Sequence, residues 1–185
     1  LGLCLVIISR LLTKYRVDSC AGSLIIVSEP SGTVMTGEGE GNMPKISLAC
    51  WDYDRALPIL NGQIPVDGFE IQAEAHPPGK LFPLAVDEAP YDVTEFSFAS
   101  FVIQTARGDC KYIGIPVYLS RAFRHGAIYV RADSGIETAK DLEGRVVGVP
   151  EYAMTLAVWV RGILADDFGV DVSKLKYRTG GLNES

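Results

Sequence analysis

The sequence predicts an α/β fold, and three observations carry that prediction. From residue 43 onward, short apolar runs alternate with stretches of helical period, the pattern of strands and helices taking turns along a chain. The composition, 48% hydrophobic and 22% charged, is that of an ordinary globular protein and excludes collagen-like, disordered and disulfide-framework classes. The length of 185 residues allows one domain, or one and a fraction, and buries a core without staples.

The elements follow in order. Residues 46–50 form a continuous apolar run expected as a buried strand. Residues 56–60 read as a short helix stopped by Asn61-Gly62. Residues 69–74 alternate strictly, so a strand with one wet face is expected there. Residues 80–86 have helical character, weakened by Pro83 unless that proline lies in the first turn. A strand is expected over 93–98, a helix over 100–107 ending at Gly108, and further strands over 112–118 and 127–130. Asp133-Ser134-Gly135 makes a turn, 138–142 a single helical turn, and 145–149 a strand. The best helix pattern comes next: Leu156, Trp159, Val160, Ile163, Leu164 and Asp167 share one face, and Gly169 closes it. Residues 175–177 begin another strand before Arg178-Thr179-Gly180-Gly181. A strand needs a partner and a cover, so a longer second lobe is expected.

Residues 1–42 have a different character. The apolar run 1–8 is too short to span a bilayer, which takes about twenty residues, and the basic residues Arg10, Lys14 and Arg16 follow it where an export signal has them in front. Ser28-Glu29-Pro30 and the Gly/Glu run 37–41 have linker composition. This segment is expected to be a poorly ordered leader or non-native extension, with the domain starting at Met43. A cytoplasmic location goes with that reading, and a periplasmic one if residues 1–42 are a true export signal.

The formal charge of −6 argues against nucleic acid or an anionic membrane surface as partner. Residues 1–42 hold three basic and four acidic residues, which leaves 14 against 19, so the acidity belongs to the domain. Cys4, Cys20, Cys50 and Cys110 include no CxxC pair and only His76 and His125 accompany them, so no metal site is expected. Cys50 reads as a small buried hydrophobe and His76 as an exposed loop residue.

Polar residues cluster where strands end, the usual place for ligands in open α/β sheets. The first cluster is Trp51, Asp52, Tyr53, Asp54 and Arg55; Asp52 and Asp54 are either an acid–base pair or, for Asp54, a helix cap. The second is Thr94, Glu95, Ser97 and Ser100. The third, Ser120 to Gly126, offers Arg121 and Arg124 as forks for carboxylates with Phe123 and a titratable His125, or is a solvated turn. The fourth, Glu151, Tyr152 and Thr155, opens the long helix, either to hold an anion or merely to cap it. Trp159 is expected in the core. No GxGxxG, Walker, GxSxG or HExxH motif is present.

The runs Ala49-Cys50-Trp51-Asp52-Tyr53-Asp54-Arg55, Ser120-Arg121-Ala122-Phe123-Arg124-His125, 141–152, 159–164 and Arg178-Thr179-Gly180-Gly181 resemble the 4,5-dihydroxyphthalate decarboxylase family over residues 43 to about 182. The resemblance implies a fold like that of type 2 periplasmic binding proteins. Lobe 1 would occupy 43–131 and an incomplete lobe 2 would begin over 132–185, with the strand-end clusters gathered into one cleft. It implies loss of CO₂ from a small aromatic dicarboxylate bearing two ring hydroxyls. That chemistry needs cations for the carboxylates, a base for the phenol and an acid aimed at the ring carbon, and no cofactor. Arg121 and Arg124 are then expected as clamps, His125 as proton donor, and Glu95 or Asp52 as base, with Trp51, Tyr53 or Phe123 stacking on the ring. Neither membrane insertion nor nucleic acid is expected, and a homo-oligomer is compatible with the reading. The rival class is a substrate-binding protein of an ABC-type uptake system for a small organic anion. As an isolated fragment, the chain is expected to lack activity.

Overall fold

The computed structural model describes residues 21–28 and 43–181, which form seven strands and four α-helices among them. The described residues divide into two compact units, the first taking in residues 23–28 and 43–120 and the second 121–181 with 21–22. The sequence places that division at 131–132.

The first unit is a five-stranded mixed sheet in the order β3-β2-β4-β1-β5. Strands β2 (Lys45–Cys50), β3 (Glu70–Ala75) and β4 (Val93–Ser97) are mutually parallel, with Leu48 beside both Ala73 and Val93. Strand β5 (Tyr112–Ala122) lies at the far edge. Between β4 and β5 runs β1 (Ala21–Ser28), antiparallel to β4 with Ser23 opposite Ser97 and Val27 opposite Val93. This corrects the expectation of a poorly ordered leader for residues 21–28; the rest of 1–42 lies outside the described residues. The signal was the run Leu24-Ile25-Ile26-Val27, whose branched side chains suit a pleated strand.

Helix α1 (Leu57–Leu60) is one turn, with Pro58 near its start. Helix α2 (Pro78–Asp87) begins on two prolines, whose missing N–H groups are orphans at a helix start in any case. It then runs through Pro83, which lies past the first turn. Burial of Leu81 and Ala85 against the sheet offsets the lost hydrogen bond. Helix α3 (Phe98–Arg107) is capped by Ser97 and ends at Gly108, whose φ of 75° lets its N–H reach the last carbonyls. The core of this unit packs Phe96 and Ala85 with Tyr112, and Ala49 and Leu81 with Tyr91.

In the second unit, β6 (Val146–Val149) pairs in parallel with β7 (Lys176–Thr179), and helix α4 (Thr155–Asp166) belongs to the same unit. Leu142, Leu164, Val170 and Leu175 form its core. The strand expected over 127–130 is absent: residues His125–Ala127 form a 3₁₀ turn, and Ile128 packs against this core instead of pairing in a sheet. Apolar side chains that serve packing alone have the same local pattern as a short buried strand. No described helix is long and apolar enough to cross a membrane.

A 3₁₀ turn over Ala139–Leu142 starts at Thr138. The Asp141 carboxylate accepts from the Thr138 N–H at 2.7 Å, the Glu137 N–H at 3.0 Å and the Thr138 hydroxyl at 3.0 Å. These donors, the two backbone groups foremost, hold the Asp141 carboxyl below its ordinary range. A depressed carboxyl stabilises the fold above the unfolded-chain value of about 4 and ceases to do so as pH falls through the folded value. Asp141→Asn is therefore expected to lower the urea midpoint at neutral pH, with the gap to wild type closing progressively below about pH 4.

Candidate functional site

The parallel register sets Trp51, just past the end of β2, beside Glu95 on β4. Glu95 is fully buried, and its two carboxylate oxygens divide the work. The Trp51 backbone N–H donates to Oε2 at 3.0 Å, and the Tyr53 hydroxyl donates to Oε1 at 2.8 Å. Tyr53 is only partly buried and stands between the carboxylate and its surroundings. Its ring lies 5.9 Å from that of Trp51, which is 43% exposed, and the Arg55 guanidinium sits 4.6 Å from the Tyr53 ring centroid. Arg55 is itself paired with Asp54 and donates to the Leu119 carbonyl. Cys50, the last residue of β2, is buried, and burial and the Glu95 charge push its thiol up to about 11, which favours the protonated form at neutral pH.

This grouping assembles Trp51, Tyr53 and Glu95 as the sequence suggests, but the burial of Glu95 changes its part. The carboxylate has no exposed surface, and its two oxygens are met by the Trp51 N–H and the Tyr53 hydroxyl. Asp52 is exposed and makes no hydrogen bond among the described residues. Asp54 does not cap α1, whose N-cap is Ala56; its carboxylate binds the Arg55 N–H and guanidinium. Ser97 is committed to the start of α3, accepting from the Ser100 N–H.

In the second unit, the segment after β5 lines a cavity of about 240 Å³ with α4. Phe123, Arg124 and His125 form one wall, and Trp159 and Asp167 belong to the other. Trp159 is thus a cavity wall, only partly buried, and not the core residue its helix face suggests. His125 Nε2 donates to Asp167 Oδ2 at 3.0 Å, a pairing that orients the imidazole. Phe123 is 79% exposed and Arg121 is exposed at the end of β5.

The start of α4 corrects another expectation. Its N-cap is Met154, which gives no side-chain hydrogen bond, and neither Glu151 nor Thr155 occupies the capping position. Thr155 is buried as the first helical residue, and Glu151 is exposed. Tyr152 packs edge-on against Tyr177 with ring centroids 5.2 Å apart.

Three features escaped the sequence. Asp167, placed by periodicity on the apolar face of α4, is the partner of His125, 42 residues away, and no local pattern announces such a pair. Arg161 stacks on Tyr152, nine positions earlier. His76 is no exposed loop residue: its Nε2 donates to Glu74 Oε2 at 2.8 Å, and the Tyr91 hydroxyl donates to the same oxygen at 2.9 Å. Burial and that carboxylate push Tyr91 up to about 12, while His76 and Tyr91 together hold Glu74 low. Among the described residues, no group of three or more His, Cys, Asp or Glu side chains could hold a metal ion.

The first unit thus holds a buried carboxylate hydrogen-bonded to a tyrosine, and the second a histidine paired with a carboxylate beside a cavity; each by itself is a candidate acid–base group. No protein-family model matches the chain. It is 41% identical over 140 residues to a 4,5-dihydroxyphthalate decarboxylase of Comamonas testosteroni, covering 76% of this chain and 42% of that one. It is also 41% identical over 144 residues to a 4,5-dihydroxyphthalate decarboxylase of Pseudomonas putida, covering 78% and 56%. The chain belongs to the 4,5-dihydroxyphthalate decarboxylase family, matching the N-terminal part of these relatives. It spans about half the length of the curated relatives it matches.

Proposed function

We propose that the full-length protein is a carboxy-lyase that removes CO₂ from a hydroxylated aromatic dicarboxylate of the 4,5-dihydroxyphthalate kind, in the breakdown of aromatic compounds. We further propose that it does so on a two-lobed scaffold like that of type 2 periplasmic binding proteins. The observation that carries the chemistry is the Tyr53–Glu95 hydrogen bond at 2.8 Å behind an aromatic surface. Both matched relatives are named as decarboxylases, and neither as a solute binder.

The reaction needs no electron acceptor. The phenol para to the departing carboxylate gives its proton to the Tyr53 oxygen as the Tyr53 proton passes to Glu95 Oε1. The phenolate pushes its electron pair through the ring to the carbon bearing the carboxylate. A general acid protonates that carbon, giving a dienone. The C–C bond then breaks, CO₂ leaves with neither oxygen exchanged, and the bonding pair restores aromaticity, so one proton has replaced CO₂. His125, oriented by Asp167, is the proton donor, and Arg121 and Arg124 supply positive charge for the substrate's carboxylates. Trp51 and Phe123, both exposed, offer faces for the ring.

The full-length protein is expected to release CO₂ from 4,5-dihydroxyphthalate and to leave phthalate intact, because phthalate has no phenol to ionise. Equal turnover of phthalate would end the phenolate mechanism, and no CO₂ from either would end the decarboxylase reading. His125→Gln should abolish turnover while ligand binding, followed by calorimetry, survives; unchanged turnover removes His125 from the mechanism.

A further inference from the structure

The arginines of the described chain differ in how their charge is met. Arg55 lies against Asp54, and Arg131 against Asp133 at 2.6 Å. Arg161, on α4, is partly buried, yet no carboxylate oxygen of the described residues lies within ion-pairing distance of it. Its guanidinium is held instead by neutral groups. It sits 4.0 Å over the Tyr152 ring and 5.8 Å from the Tyr177 ring, and its Nη1 donates to the Tyr152 carbonyl at 2.9 Å.

That arrangement is unlike a surface salt bridge and unlike a snorkelling side chain. The rings fix the guanidinium plane through cation–π contact and remove the rotamer freedom that an arginine otherwise loses on binding. One N–H is spent on the backbone, and the charge is left unneutralised. The nearest acidic neighbours in sequence, Asp166 and Asp167, are exposed and do not pair with it, and neither does the exposed Glu151. The whole cluster lies in one unit: Tyr152 follows the carboxyl end of β6, Tyr177 is on the paired strand β7, and Arg161 comes two turns into α4. The Tyr177 hydroxyl is buried with no hydrogen-bond partner among the described residues, so Tyr177 serves by its ring and not by its oxygen.

We propose that Arg161, stacked on Tyr152 with Tyr177 packed edge-on behind that ring, is a carboxylate-binding residue, and that the two tyrosines position its guanidinium. Resting on the proposed function, the group it takes is a carboxylate of the aromatic dicarboxylate. A planar fork with one edge engaged by the Tyr152 carbonyl presents its remaining donors to a carboxylate as parallel N–H···O bonds, geometry that a lysine cannot reproduce.

The test is calorimetric binding of phthalate, benzoate and catechol to the full-length protein and its Arg161→Met, Arg161→Lys and Tyr152→Leu variants. Arg161→Met is expected to weaken phthalate binding at least tenfold and to leave catechol, which has no carboxylate, unchanged. Arg161→Lys should fall between. Tyr152 is 49% exposed, so Tyr152→Leu folds even if Arg161→Met does not, and it should weaken phthalate several-fold. Phthalate bound equally by wild type, Arg161→Met and Tyr152→Leu overturns the subsite and leaves the decarboxylase reading standing. Benzoate bound in an Arg161-dependent way, with no binding of phthalate, upholds the subsite and overturns the dicarboxylate reading.

Discussion

Replacing Glu95 by Gln is expected to leave the full-length protein folded while lowering kcat by roughly 10²- to 10⁴-fold, the usual worth of a positioned acid–base group. The amide keeps the shape of the carboxylate. Its oxygen can accept from the Trp51 N–H, and its NH₂ can donate to the Tyr53 oxygen once that hydroxyl turns, so no buried donor is stranded. What disappears is a place for the Tyr53 proton. Tyr53→Phe removes the same relay from the other end and should lose rate to a similar degree, and the double variant should be little worse than either single one. Glu95→Ala is a different experiment. It strands a backbone N–H and a hydroxyl in a buried site, at about 1–3 kcal/mol for each unsatisfied group, so its lost activity would be confounded with lost fold. Steady-state kinetics beside circular dichroism separate the cases, and full activity in Glu95→Gln would remove the relay from the mechanism.

The largest expected loss of stability comes from the residue next door. Phe96 is fully buried, edge-on to Phe82 at 6.3 Å and 6.4 Å from Tyr112, with Ala85 in the same cluster. Phe96→Ala removes the transfer energy of the ring and leaves a cavity whose walls belong to a sheet and a helix that cannot close on it. About 3–5 kcal/mol of stability should be lost, read as a drop of more than about 1 M in the urea midpoint. Phe96→Leu, which refills most of the volume, should recover more than half of that loss. A shift within error of wild type for Phe96→Ala would show that the cluster does not hold this unit together.

Most of the α/β pattern was legible because it depends on local chemistry. Strands β2, β3 and β4 lie within a residue or two of where the alternation and apolar runs put them, and α3 stops at Gly108 because a left-handed backbone is needed there. The misreadings have a common physical origin. The apolar run at 127–130 packs without pairing, Asp167 meets a distant histidine, and His76 is drawn under Tyr91 by Glu74. The first two are settled by partners far along the chain, and the third by Glu74, two positions away, together with the more distant Tyr91; periodicity reports none of these. The polar clusters at strand ends named Tyr53 and Glu95, but not that one would screen the other. Depth within a sheet depends on what covers both of its faces.

Strand β1 has a consequence for how the protein is made. It is the first described strand to leave the ribosome, yet Ser23 pairs with Ser97, and the strand on its other side is β5. Its backbone donors and acceptors therefore remain unsatisfied by native partners while everything up to β4 is still being synthesised. Strands β2, β3 and β4 can zip together in the meantime, since each follows the last through a short crossover. The nascent chain thus carries, for most of the first unit's synthesis, a waiting segment of branched apolar residues with no native strand to pair with. That interval, more than the stability of the finished sheet, is when the chain is most exposed to pairing with other molecules.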